Sequence, residues 1–337
     1  YLLYLTMQII LIKENVGIPK YRQIVNSIEN AIKDGIFVKG SKLPSVNSIY
    51  KKHGISRDTV FVAYNQLKTR GIIQSISGKG YYVKSTDLNL EQKIFVLFDE
   101  LNAFKEDLYN SFLKNIGTYS QVDIYFHHFN YDVFSKLIFD SIGNYNHYVI
   151  MPANLKNTDL IIGKLPKDKV YILDQMHDEL AEYRAVCQNF ESDMYSNLTI
   201  GISSLKKYNK LILLFQNKQP LGMLNGFVKF CKDYKFEYEI LNSLEDSVPK
   251  KGEVYIIPDD RNLIVIMKKI KEKALLLGEN IGIISYNDTL LKEILEGGIT
   301  TISTDFKKMG EQLAKMILTN EKIQIENCSS FIKRNSL

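Results

Sequence analysis

Residues 41–54 read S-K-L-P-S-V-N-S-I-Y-K-K-H-G, residues 55–73 read I-S-R-D-T-V-F-V-A-Y-N-Q-L-K-T-R-G-I-I, and residues 77–83 read S-G-K-G-Y-Y-V. Leu43-Pro44-Ser45 has the form of a helix entry with Ser45 as N-cap, and His53-Gly54 ends that helix. Ser56 caps the next helix, with Thr59 at its third position. Val60, Ala63, Tyr64 and Leu67 recur at i, i+3, i+4 and i+7, so that helix buries one stripe. Gly71 closes it. Ile72-Ile73 and Gly80-Tyr81-Tyr82-Val83 are two short strands around a Ser77-Gly78-Lys79 tip. Upstream, Ile24, Ile28 and Ile32 lie on one face of a helix expected over Ile18–Asp34, entered at Pro19 and stopped by Gly35. This order of elements is that of a winged helix-turn-helix, which places one helix in the DNA major groove and a loop beside it.

Charge separates this region from the rest of the chain. Residues 1–84 carry 13 Lys and Arg against four acids, a net of +9, so the remainder of the +5, 337-residue chain holds −4. A basic first quarter on a mildly acidic remainder fits a nucleic-acid module joined to a separate partner domain. Length allows two domains. Cys187, Cys231 and Cys328 have no paired spacing and are expected as free thiols of a cytoplasmic protein. No run approaches the roughly 18 apolar residues of a membrane span, and the opening Y-L-L-Y-L-T lacks the basic start and cleavage site of a signal peptide. Met7 is a candidate start.

On the helix over 56–70, Arg57, Phe61, Asn65 and Lys68 fall opposite Val60 and Ala63. Arg57 lies in the first turn, where a guanidinium fork can take guanine, and Phe61 is suited to a thymine methyl. Ser45, Asn47 and Thr59 are short donors for phosphate or base edges. Gly78-Lys79-Gly80 lets the wing backbone approach the minor groove. The plain alternative is a capped surface helix and an ordinary hairpin, but the ordered set together with its charge favours DNA.

These residues resemble the N-terminal domain of the GntR family of bacterial transcription factors. The resemblance runs from Pro19-Lys20-Tyr21 through Leu43-Pro44-Ser45, Ile55–Val60, Ala63-Tyr64, Leu67, Gly71-Ile72-Ile73 and Gly78–Val83, about a fifth of the chain. Many members have Glu-Arg where Val46-Asn47 stand here, and a basic residue where Phe61 stands. The operator is therefore expected to be this protein's own.

From Lys93 apolar runs alternate with helical patterns: 94–98, 122–126, 148–151 and 169–173, then 211–215, 236–240, 254–257 and 281–286. Continuous apolar strands between helices imply parallel sheets covered on both faces, and two such series imply two lobes. The expected organisation is an α+β winged helix-turn-helix domain over 13–84, a polar linker over 85–92, and an α/β two-lobed domain over 93–337. No Walker loop or catalytic constellation supports an enzyme such as a sugar kinase. An aminotransferase-like partner domain would need more residues and a Schiff-base lysine motif, and a helical metal-binding one an all-helical pattern. Neighbouring His127 and His128 at a strand end point to opposite faces, so no metal or other cofactor is expected.

The segment Gly278–Leu318, with Ser-Tyr-Asn-Asp-Thr at 285–289 and Ile-Ser-Thr-Asp-Phe at 302–306, resembles the end of the type I periplasmic-binding-protein-like sensor domain of LacI-type regulators. The combination with a winged helix is similar to the arabinose-repressor-like GntR subgroup, and its phrasing to fucose-operon regulators. The resemblance implies a homodimeric DNA-binding regulator of a carbohydrate operon, controlled by a small sugar between the lobes, L-fucose or a pentose such as L-arabinose. A non-sugar metabolite such as a nucleoside is the alternative. Ligands in such lobes sit at the C-terminal ends of strands. The candidates there are Asp99 and Asn102, His127 or His128, Asp174, Asp259 and Asp260, and Asn287 and Asp288, with Phe104 and Phe306 as stacking faces. Asp174, Asp259 and Asn287 match sugar-binding positions of LacI-type sensors. For each the plain alternative is a loop acid or helix cap. Met223 stands where those sensors commonly have arginine, which argues against a charged ligand.

Overall fold

The computed structural model describes residues 9–13, 18–88, 92–117 and 120–337. The candidate start at Met7 and three residues of the linker lie outside that set. The head consists of α1 (Lys20–Lys33), α2 (Val46–His53), α3 (Arg57–Thr69) and the hairpin β1 (Ile73–Ile76) with β2 (Gly80–Val83). Helix α1 starts two residues later than its periodicity implies, because Pro19 takes an extended conformation at its N-cap. Strand β1 reaches past Ile73 to Ile76, paired in register with Gly80–Val83. Ser45 and Ser56 cap α2 and α3, each accepting from the amide three residues on, at 3.1 and 3.2 Å. Ile24, Ile28, Val60, Ala63, Tyr64 and Leu67 form the core of the head. The Tyr64 hydroxyl donates to the Pro44 carbonyl at 2.6 Å, pinning the start of α2 to α3. Arg70 pairs with buried Glu29 and donates to the Leu88 carbonyl at 2.9 Å, tying the linker to the head.

Two six-stranded sheets follow. Lobe 1 has the order β13-β7-β6-β5-β3-β4 and lobe 2 the order β14-β12-β11-β10-β8-β9. Lobe 1 is built from β3 (Gln92–Phe98), α4 (Ala103–Ile116), β4 (Ser120–Phe126), α5 (Tyr131–Ser141), β5 (His147–Ile150), α6 (Thr158–Ile162), β6 (Val170–Asp174) and β7 (Arg184–Cys187). The chain then crosses to lobe 2 for α7 (Phe190–Ile200), α8 (Ile202–Leu205), β8 (Lys210–Leu214), α9 (Leu221–Tyr234), β9 (Glu237–Leu241), β10 (Glu253–Ile257), α10 (Asp260–Glu272), β11 (Gly282–Tyr286), α11 (Leu290–Ile294) and β12 (Thr300–Thr304). It returns to lobe 1 for α12 (Phe306–Thr319) and β13 (Gln324–Glu326), and ends with β14 (Ser329–Ile332) in lobe 2. All pairings are parallel except β12 with β14, which is antiparallel.

The apolar runs are buried on both faces. In β3, Ile94, Val96 and Phe98 pack under α4 and α12, whereas Phe95 and Leu97 face α5. In lobe 2, Leu211 and Leu213 face α7 and α9, while Ile212 and Leu214 face α10. The three crossings are stitched together. Thr304 donates to the Gln188 amide oxygen, Asn327 Nδ2 to the Asp305 carbonyl at 3.1 Å, and the Asn327 amide to the Cys187 carbonyl at 2.8 Å. Three short, mutually bonded connections are what a hinge between lobes requires.

Candidate functional site

A cleft that combines polar side chains from both lobes lies at the C-terminal ends of the strands. It encloses about 220 Å³, below the 300–1,000 Å³ of drug-sized pockets and suited to one small molecule. Of the candidates at strand ends, Asp99, Asn102, Phe104, Asp174, Asp259, Asp260, Asn287 and Phe306 line it. Neither histidine nor Asp288 does. His127 is fully buried, its Nε2 3.0 Å from the Met151 carbonyl and its ring edge-on to Phe134, so it belongs to the lobe 1 core. Burial lowers its pKa. Asp288 is also turned away, held in a two-pronged pair with Arg334 at 2.6 and 2.7 Å. Burial would raise that carboxyl, but the Arg334 fork outweighs it and the pKa lies below the usual value.

The lining residues differ in how they are held. Asn102 and Asp259 use one side-chain oxygen to cap α4 and α10, at 3.1 and 3.0 Å. The capping alternative therefore holds for both, without removing either from the cleft. Asp174 has φ +74 and Asn287 φ +60, left-handed conformations at the points where the chain leaves β6 and β11. Gln188 donates to the Asp174 carboxylate. Burial pushes the Asp174 carboxyl up, Lys105 opposes this, and nearby Asp99 adds to it. Phe104 and Phe306 stack on one another, with centroids 4.8 Å apart, and share one wall.

Several cleft residues were not evident from the sequence. Lys105 reaches back along α4 to pair with buried Asp99. Gln188, Phe190, Lys218 and Tyr286 also line the space. The Tyr286 hydroxyl and Asn287 Oδ1 are buried with no hydrogen-bond partner among the described residues. Behind them Lys292, 1% exposed, donates to the Tyr286 and Asn287 carbonyls at 2.8 and 2.7 Å and pairs with Asp260 at 2.9 Å. Its only sequence signal is a lysine among apolar residues on a short helix, which reads as surface. Among the described residues no group of three metal-ligating side chains occurs and no helix is long and apolar enough to cross a membrane.

On the head, Arg57 is exposed and lies 5.1 Å from the Tyr50 ring centroid, which orients its fork at the start of α3. Phe61 (42% exposed) and Lys68 also face solvent, and so do Ser45, Asn47, Gly78, Lys79 and Gly80 at the helix entry and wing. Gly78 and Gly80 have φ +70 and +105, so the wing tip depends on glycine. The Thr59 hydroxyl is 2.8 Å from that of Ser56, occupied in the cap. Asn65 has a different place from the one expected. Its amide donates to the Thr319 carbonyl of lobe 1 at 3.2 Å, because the C-terminal half of α3 rests on the end of α12.

Residues 20–83 match the family described as bacterial regulatory proteins, gntR family. The head is a GntR-type helix-turn-helix domain. Over 107 residues the chain is 36% identical to the mannosyl-D-glycerate transport/metabolism system repressor MngR of Escherichia coli, covering 32% of this chain. The match spans 41% of that repressor's length, well under two thirds of it. Behind the GntR-type head, the lobes have the fold of the trehalose repressor from Escherichia coli, with TM-score 0.62 and 13% identity over 72% of this chain and all of that one. A LacI family regulator, CCPA from Weissella paramesenteroides with bound sucrose, gives TM-score 0.59 and 16% identity over 73% of this chain and 98% of that one.

Proposed function

We propose that the chain is a homodimeric transcription regulator of carbohydrate metabolism whose operator affinity is set by a small uncharged sugar held between the lobes. The observation that carries the effector half is the pair of buried, unpartnered polar atoms at the end of β11. The Tyr286 hydroxyl can donate and the Asn287 Oδ1 can accept, and both line a cleft walled by aromatic rings. Ring hydroxyls supply acceptor and donor together, and Phe104 or Phe306 offers a face for the apolar side of a sugar ring. The cleft lining holds two cations, Lys105 paired with Asp99 and the exposed Lys218, against five acids, so it offers an anion little and a neutral polyol much. L-Fucose and pentoses such as L-arabinose are the favoured ligands. The mannosyl-D-glycerate role of MngR and the sucrose bound by CCPA support the same class.

Closure on a sugar alters operator affinity only if the sugar binds one lobe arrangement better than the other. In a dimer, that shift changes the spacing of two heads over a two-fold site. A thermal-shift panel of pentoses, deoxyhexoses, sugar phosphates and nucleosides tests the ligand class, since a ligand that binds only the folded state raises the unfolding temperature. A rise with neutral monosaccharides is expected. A rise confined to nucleosides or phosphorylated sugars would replace the reading.

A further inference from the structure

Two helices of lobe 1 begin in the cleft and end against the head. Helices α4 and α12 each have 14 residues, a length of about 21 Å. At the cleft end, Phe104 in the first turn of α4 stacks on Phe306, the first residue of α12. Midway the two helices touch backbone to backbone. A Cβ at Gly310 would run into the Leu108 carbonyl and come within 2.8 Å of the Phe112 amide, so only glycine permits this approach. At the far end, Gly117 closes α4 with φ +100, and a Cβ there would strike the Arg22 guanidinium and lie 3.4 Å from Gln66 of the head. Thr319 closes α12 and accepts from Asn65, which sits on α3, the helix whose first turn carries Arg57.

We propose that α4 and α12 move as one strut, and that this strut carries the state of the cleft to the helix that reads DNA. Close packing makes the pair stiff, since side chains that interlock without voids shift together and not singly. A ligand that displaces the Phe104–Phe306 pair moves both helix starts, and the Asn65 and Arg22 contacts receive that movement at the other ends. Asn65 is thereby a positioning residue of the head. The effector part of this inference rests on the cleft being the effector site.

The test is amide hydrogen exchange over Arg57–Thr69 in the full chain, with global unfolding followed in parallel. Phe306→Ala, at the cleft end, is expected to speed exchange in the last two turns of α3 by about threefold or more. Asn65→Ala is expected to do the same, and the double variant to add nothing, because both release one contact. Phe190→Ala removes a cleft ring that starts α7 in lobe 2 and should leave α3 unchanged. Unchanged exchange in Phe306→Ala, or an equal rise in Phe190→Ala, overturns the strut. If Phe306→Ala does not fold, Phe104→Leu perturbs the same ring pair. The measurement uses no ligand. A sugar panel without any thermal shift would remove the effector reading and leave the exchange result to decide the strut alone.

Discussion

In lobe 1 the cleft turn at Asp174 is held by the amide of Gln188, which also takes the Thr304 hydroxyl from the neighbouring crossing. In lobe 2 the equivalent turn at Asn287 is held from behind by the buried ammonium of Lys292. Strand order is the same in both lobes. The difference lies in what each turn leaves exposed to the cleft. Lobe 1 presents a carboxyl whose charge is disfavoured by burial, and lobe 2 presents neutral polar atoms fixed by a charge beneath them. One architecture has thus been given a titratable wall and a rigid wall. A second contrast follows from the crossings: the paired helices α4 and α12 of lobe 1 reach the head, whereas α7 and α9 pack into the core of lobe 2.

The largest effect is expected from breaking the rigid wall. Lys292→Met leaves two carbonyls and Asp260 without their cation, and should cost lobe 2 about 3 kcal/mol in a denaturant melt. The corresponding Gln188→Leu in lobe 1 should cost about 1–2 kcal/mol, because two neutral-donor bonds are lost and no buried cation is removed.

Acid should separate the lobes next. All five histidines fall in the head and lobe 1. His147 starts β5, 6% exposed, and burial with the help of nearby Arg184 lowers its pKa to about 4. A depressed folded pKa means the unfolded chain binds the proton first. The contribution is therefore present above the ordinary value of 6.5 and is lost as pH falls toward 4. Lobe 1 should weaken by about 2 kcal/mol between pH 7 and pH 5, with lobe 2 spared this loss, when unfolding is followed by exchange in each lobe. His147→Leu should flatten the profile.

The helix pairs give a matched comparison. A Cβ at Gly310 meets the backbone of α4, and a Cβ at Gly226 of α9 meets the Glu191 carbonyl and comes within 3.0 Å of Met194 in α7. Gly310→Ala and Gly226→Ala should each cost about 1–3 kcal/mol by overpacking. Only the former should alter exchange in α3. The smallest effect concerns the titratable wall. Because the folded pKa of Asp174 is raised, its stabilising contribution is present at low pH and is lost as pH rises through that value. Asp174→Asn should therefore gain stability relative to the parent as pH rises and lose that gain as pH falls, when unfolding of lobe 1 is followed across the acid range.

Much of this arrangement was legible in the chain. The caps at Ser45 and Ser56, the Val60–Leu67 stripe and the glycine-tipped wing are local features, each set by neighbours within a turn. The eight long strands were legible because their apolar runs are continuous. Strands β7, β13 and β14 were not singled out, since Arg184, Gln324 and Ser329 open them with polar residues. In the cleft, residues at strand ends were found because topology puts ligands there. Lys105, Gln188 and Lys292 were missed because their roles depend on contacts between separate elements. His127 and Asn65 went astray for the same reason. A strand end and a helix face limit where a side chain can point, but packing against Phe134 and against Thr319 decides it.

The most direct test of the central claim is fluorescence anisotropy of a duplex selected by the purified protein from random-sequence DNA, titrated with and without the monosaccharide that gives the largest thermal shift. The account predicts that saturating sugar changes the dissociation constant by about fivefold or more, and that Asn287→Ala binds the duplex normally but no longer responds. A sugar that binds the native protein while leaving its affinity for that duplex unchanged would contradict it.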